Sequence, residues 1–211
     1  MIQLPAASGI EEILEKLEAE SRNLKDTEIR YVDGVRYVKR LEETSIVESD
    51  GSEIPWKEGG VYLITGGAGG LGFLFAEEIA RKVKAPVLIL TGRSEINGKI
   101  EAQLKVLRGL GARGEYRRVD ITDKELVQEL VVGIEAAWGG INGIFHSAGV
   151  IRDNYIIHKT EEEFDAVLKP KVTGLINLDT CTREMNLDFI VLFSSQAGES
   201  GNPGQADSAA G

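Results

Sequence analysis

VYLITGGAGGLGFLFAEEIARK, residues 61–82, carries the signal that decides the fold. Val61–Thr65 is a short apolar run with no polar face, as expected of a parallel strand covered on both sides. Residues 70–84 continue at helical period. Between them lies TGGAGGLG (65–72), in which Gly67, Gly69 and Gly72 spell G-x-G-x-x-G while Thr65, Gly66, Gly70 and Gly72 spell T-G-x-x-x-G-x-G. A turn without side chains, placed after a strand and opening a helix, exposes backbone N–H groups and a helix N-terminus to an anion. In that context the glycines predict a cradle for the pyrophosphate of a dinucleotide. A glycine-rich linker would not have such plain strand and helix flanks.

The same rhythm extends toward the C-terminus. PVLILTG (86–92) reads as a second buried strand, 97–110 as a helix, GEYRRVD (114–120) as a weaker third strand, and Asp123 to about Trp138 as a helix capped by Thr122 or Asp123. INGIFHSAG (141–149) is a fourth strand with its exit loop. A helix over about 160–183 and the strand LDFIVLFSS (187–195) follow. Alternation of this kind implies an α/β, Rossmann-like, doubly wound parallel sheet, with the spatial order 3-2-1-4-5 expected. Toward the N-terminus the texture differs. Ile10, Ile13, Leu14 and Leu17 predict an amphipathic helix with one buried stripe, and Ser8 with Glu11 fits a capping box. Asp33-Gly34 between two alternating runs predicts a β-hairpin. The expected organisation is a helix-plus-hairpin appendage over 1–44, a linker over 45–58 and a nucleotide-binding domain over 59–211.

Composition narrows the function. A formal net charge of −10 disfavours nucleic acid or an anionic membrane as the main partner. The single cysteine, Cys181, cannot form an internal disulfide and suits a reducing compartment. With only His146 and His158 besides, a metal site is not expected. No apolar run approaches a membrane span and no signal peptide is evident, so a cytoplasmic location is expected.

The second strand ends in Thr91-Gly92-Arg93-Ser94, about twenty residues past the glycine loop. An acidic residue there would bind the ribose 2′-hydroxyl of NAD, whereas an arginine can pair with the 2′-phosphate of NADP. Arg93 and Ser94 therefore predict NADPH, against a reading of Arg93 as a solvated surface residue. Asp120, with Ile121, follows the third strand; its carboxylate either accepts from the adenine amine or caps the next helix. Ser147, Ala148 and Gly149 are small enough for the backbone to pass close to the nicotinamide half. His146 reads as a packed, hydrogen-bonded histidine.

Taken together, GGVYLITGGAGGLG, LTGR, HSAGV, KPKVTG, LDFIVLFSS and GNPGQAD resemble the ketoreductase domains of modular polyketide synthases, within the short-chain dehydrogenase/reductase superfamily, across residues 59–208. YVDGVRYVKRL is similar to the segment linking such a domain to its preceding structural half. The resemblance implies NADPH-dependent reduction of a β-ketoacyl thioester, carried on acyl carrier protein within a synthase of neighbouring domains. It assigns Thr65, Gly66, Gly67, Gly69, Gly70, Leu71 and Gly72, with Arg93, Ser94, Asp120, Ile121, Ser147, Ala148 and Gly149, to the cofactor. It makes Lys171 of KPKVTG and Ser195 of LFSS catalytic, with Ser194 as the alternative register. The plain rivals are a solvated helix lysine and a serine satisfying backbone at a strand end. Asp153 and Pro203 fall where members giving the D-hydroxyl product carry aspartate and proline. Ser200 stands in place of the tryptophan of the opposite group, and Arg152 interrupts the usual acidic pair.

One departure outweighs the rest. The family tyrosine belongs directly after GQAD, where this chain has Ser208, and the family asparagine belongs past Gly211. A serine hydroxyl is a far weaker acid than a phenol and sits on a shorter side chain. A nearly inactive polypeptide is the expectation. Family strands would follow beyond 211, leaving the fifth strand here as an exposed edge. A Rossmann module that binds nucleotide or only packs against neighbouring synthase domains is the alternative.

Overall fold

A computed structural model describes residues 2–5, 8–23, 25–26, 28–40, 42–43 and 55–211. The chain divides into two compact units, Met1–Ser52 and Glu53–Gly211. Most of the expected linker lies outside the described residues.

The first unit holds β1 (Ile2–Gln3), α1 (Ile10–Ser21), β2 (Ile29–Val32) and β3 (Val35–Val38) in a three-stranded sheet of order β1-β2-β3. The Asp33-Gly34 turn forms as expected, with φ of 49° and 76°. Two expectations for α1 fail. Its N-cap is Gly9, without a side-chain cap, because the helix begins one residue too late for Ser8 to reach it. Its apolar stripe is not buried: Ile10, Leu14 and Leu17 are exposed. Polar contacts, rather than an apolar core, tie this unit together. The buried Glu20 carboxylate accepts from the Tyr31 hydroxyl at 2.6 Å and from Arg36 at 2.6 and 2.9 Å, and Arg36 also reaches Asp26 at 2.8 Å. The Arg36 and Tyr31 hydrogen bonds hold the Glu20 carboxyl at about 2.

The second unit is the doubly wound sheet. Its strands are β4 (Val61–Thr65), β5 (Val87–Gly92), β6 (Arg113–Arg118), β7 (Gly143–His146) and β8 (Phe189–Leu192), all parallel. Their spatial order is β6-β5-β4-β7-β8, the expected 3-2-1-4-5. Between them run α2 (Gly70–Lys82), α3 (Gly98–Gly109), α4 (Lys124–Trp138) and α5 (Glu161–Thr182), and after β8 the short α6 (Gln196–Ser200) and α7 (Ala206–Ala210).

Strand alternation splits the core in two. Val61 and Leu63 of β4 face a cluster with Val127, Leu130, Ile134 and Leu178 of α4 and α5. Tyr62 and Ile64 face the opposite cluster, with Ala76, Ile79, Leu104 and Leu107 of α2 and α3. Leu63, Ile64, Leu88, Ile89 and Leu90 are completely buried, each contributing roughly 1.5–3 kcal/mol relative to exposure. That is why these runs read as continuous apolar stretches. The two lateral strands differ. β6 carries Arg113, Glu115, Arg117 and Arg118, charge that discourages further pairing. β8 alternates instead, leaving Ile190 and Leu192 39% and 51% exposed. It is shorter than the expected 187–195 because its pairing with β7 ends at His146 opposite Leu192.

Helix starts follow side-chain chemistry. Asn97 caps α3 through Lys99 and Ile100, Asp123 caps α4 through Glu125 and Leu126, and Thr160 with Glu163 forms a full capping box on α5. Thr122 is not the cap of α4.

Candidate cofactor and substrate site

The carboxyl ends of β4, β5 and β7 surround a crevice of about 380 Å³, at the point where the strand order reverses between β4 and β7. Connections leaving adjacent strands in opposite directions open a gap there, the place where α/β sheets bind ligands. The floor is the β4–α2 turn. Gly66 has φ 65°, and a Cβ on it would lie 2.7 Å from Ser147 O. A Cβ on Gly72 would lie 2.7 Å from Ser147 Oγ. These two glycines let the turn lie against the β7 exit loop.

Nine of the expected cofactor residues line the crevice: Gly66, Gly69, Arg93, Ser94, Asp120, Ile121, Ser147, Ala148 and Gly149. Thr65, Gly67, Gly70, Leu71 and Gly72 do not. Thr65 is wholly buried beneath the turn, where its hydroxyl meets His146 Nδ1 at 2.8 Å and accepts from Ala148 N–H at 3.3 Å. A Cβ on Gly67 would strike Leu90, so its smallness serves strand packing. Leu71 is 48% exposed on the outside of α2. Gly70 opens that helix with nothing within 4 Å of its Cβ position. Residues not anticipated also line the crevice, among them Ala68, Asn97, Lys99, Tyr116, Thr122 and Pro170. Lys99 and Tyr116 carried no local signal, since only the sheet topology brings them beside Arg93.

At the carboxyl end of β5, the Arg93 carbonyl accepts from Arg118 Nε at 3.0 Å, and Arg118 pairs with Glu95 at 2.7 Å. Arg93 itself is exposed and, among the described residues, has no acidic partner. Asp120 neither caps α4 nor stands idle. Its Oδ1 accepts from the Thr122 amide at 3.0 Å and the Thr122 hydroxyl at 2.8 Å, shaping the loop. His146 is packed, as expected, and burial holds its imidazole below the ordinary range. The backbone of Pro170 and Lys171 pulls the other way, at too poor a geometry to give Nε2 a hydrogen bond.

Lys171 and Ser195 stand outside the crevice lining. Ser195 is the N-cap of α6, its Oγ accepting from Ala197 N–H at 3.1 Å. The Lys171 side chain lies along the end of α7, with Nζ 3.4 Å from where a Cβ on Gly211 would stand. Ser208 is half-buried on the same short helix. Asp153 is exposed and accepts from Gln205 Nε2 at 2.9 Å, while Pro203 is exposed nearby in the chain.

Fold, glycine turn and crevice together define a Rossmann-type nucleotide-binding domain of the short-chain dehydrogenase/reductase kind. Residues 60–211 match the model of the KR domain, and the chain belongs to that family. It is 49% identical over 206 residues to polyketide synthase PksN of Bacillus subtilis (strain 168) and 46% identical over 207 residues to polyketide synthase PksL of the same organism. These matches cover 98% of this chain and 4% of each synthase. A solved ketoreductase domain from the bacillaene assembly line superposes with TM-score 0.84 at 44% identity, over 99% of this chain and 49% of that one. NAD+-bound xylitol dehydrogenase superposes with TM-score 0.64 at 26% identity, over 72% of this chain and 59% of that one. The chain thus spans about half the length of that solved ketoreductase and a small part of the curated synthases.

Proposed function

We propose that this domain uses NADPH to reduce a β-ketoacyl thioester, presented on an acyl carrier protein by neighbouring synthase domains, to a β-hydroxyacyl thioester. The observation that carries the reading is the crevice at the β4–β7 switch point, lined by an Arg93 that has no acidic partner among the described residues. Gly66, Gly69, Ala148 and Gly149 would hold the dinucleotide against backbone, and Arg93 and Ser94 its 2′-phosphate. When bound, NADPH supplies the hydride. Because the Ser195 oxygen is already accepting from Ala197, its own proton stays available to donate to the substrate carbonyl oxygen. The Lys171 ammonium beside α7 would favour the charged form of an acid standing at position 208. Asp153, oriented by Gln205, supports the D-hydroxyl product.

Ser208 favours a second reading. Without a phenol at that position protonation of the developing alkoxide is poorly served, and the domain binds nucleotide with little or no turnover. NADPH fluorescence titration, then turnover of a β-ketoacyl N-acetylcysteamine thioester before and after Ser208→Tyr, separates the two. Binding with turnover that rises on substitution supports the reductase. Binding without turnover in either supports the nucleotide-binding module, and absence of binding removes the cofactor assignment.

A further inference from the structure

Lys159 and Asp207 form an ion pair of 2.6 Å whose side chains are 2% and 1% exposed. No other ion pair among the described residues has both partners so deeply buried. Lys159 directly precedes the N-cap of α5, and its ammonium also donates to the Arg152 carbonyl at 2.6 Å. Asp207 directly precedes Ser208, and its second oxygen accepts from the Ser208 amide at 2.8 Å. One carboxylate therefore grips the 152–159 loop with one oxygen and the backbone of residue 208 with the other. Two more bonds join the same segments: Asn154 N–H to the Gly204 carbonyl at 2.9 Å, and Gln205 Nε2 to Asp153 at 2.9 Å.

Burying two charges gives up so much hydration that such a pair contributes little net stability compared with apolar side chains of similar size. What it does impose is geometry, since each charge is costly in any arrangement that parts it from the other. Burial by itself would raise the Asp207 carboxyl, yet Lys159 and the amides at 207 and 208 hold it below the ordinary carboxylate value. The carboxylate stays charged, and the grip is kept at neutral pH.

We propose that Lys159 and Asp207 are a positioning pair, locking the Asp153 loop and residue 208 into one body and so fixing where the side chain at 208 stands relative to Lys171. This rests on reading those two segments as the substrate side of the site. Neither residue lines the cofactor crevice, so the two readings fail separately.

The test uses the full chain carrying Cys181→Ser and Ser208→Cys, which leaves one thiol as a reporter at position 208. Lys159→Met should speed amide exchange by about tenfold in both 152–158 and 204–210. It should also change the iodoacetamide alkylation rate at position 208 by about threefold or more, as the thiol shifts relative to Lys171. Lys159→Arg, which keeps the charge, should restore both, and the isosteric Asp207→Asn should repeat the Lys159→Met result. NADPH titration of each variant reports on the cofactor assignment alone. Faster exchange in one segment only, an unchanged alkylation rate in Lys159→Met, or global unfolding of both Lys159→Met and Asp207→Asn would overturn the proposal.

Discussion

Thr65 Oγ1 lies 2.8 Å from His146 Nδ1, across the neighbouring ends of β4 and β7, with both side chains buried. The Ala148 amide also donates to that hydroxyl, which keeps a proton to donate and a lone pair to accept, so the Thr65–His146 bond forms with either neutral tautomer of the ring. The first residue of the T-G-x-x-x-G-x-G pattern thus ties the glycine turn to the β7 exit loop. Thr65→Val keeps the shape and removes both bonds. Leaving buried polar groups unpaired costs about 1–3 kcal/mol, which urea unfolding should register. NADPH affinity should fall as well, because Ala148 and Gly149 line the crevice.

The buried His146 gives stability a dependence on pH. Its folded-state pKa is depressed below 6.5, first by burial, so the unfolded chain takes up a proton before the folded one. Stability should be fully present above pH 6.5 and decline as pH falls from there toward the folded-state value. The depressed carboxylates Glu20, Asp26, Asp188 and Asp207 lose their contribution only below the ordinary carboxylate values, so they do not confuse this window. Urea unfolding at pH 7.5 and 5.5 should show the decline, and His146→Gln should flatten it.

Glycines in the turn separate by what surrounds them. Gly66→Ala places a side chain at φ 65° and 2.7 Å from a backbone oxygen, so it should destabilise the turn by more than about 1 kcal/mol and abolish nucleotide binding together. Gly70→Ala meets open space at the first turn of a helix and should leave stability unchanged or raise it by up to about 1 kcal/mol. If Gly70 lies against the pyrophosphate, its added methyl should weaken NADPH binding all the same. Thermal unfolding and fluorescence titration on the two variants distinguish a packing glycine from a ligand-facing one.

How far the sequence could be read depended on the range of the interaction. Strand order and the parallel sheet were legible because Val61–Thr65 and Val87–Gly92 are buried on both faces and leave an uninterrupted apolar run. The crevice was legible where a local turn or a strand end sets it, as at Gly66, Arg93 and Ser147. It was not legible at Lys99 and Tyr116, which reach the site only through the pairing of β5 with β6 and the placement of α3. Nor does the glycine pattern reveal that a Cβ on Gly67 would meet Ile64 O and Leu90, a constraint set by the neighbouring strand. In α1 the helical period was right, but periodicity does not say whether Ile10 and Leu14 meet a partner. The Lys159–Asp207 pair joins residues 48 apart in the chain and leaves no local trace.

The NADPH proposal rests on Arg93. Its exposed guanidinium has no acidic partner among the described residues, and the neighbouring Glu95 is already engaged by Arg118. A charge-assisted, two-pronged bond to a 2′-phosphate is worth about 1.5–3 kcal/mol, so Arg93→Ala should weaken NADPH binding by roughly ten- to a hundredfold. NADH has no phosphate to lose and should bind both proteins within a factor of about two. Because Arg118 also supports the Arg93 carbonyl through its backbone bond, the turn should stay in place and thermal unfolding should not move. Equal losses for the two nucleotides in paired fluorescence titrations would mean that Arg93 shapes the loop rather than reading the phosphate.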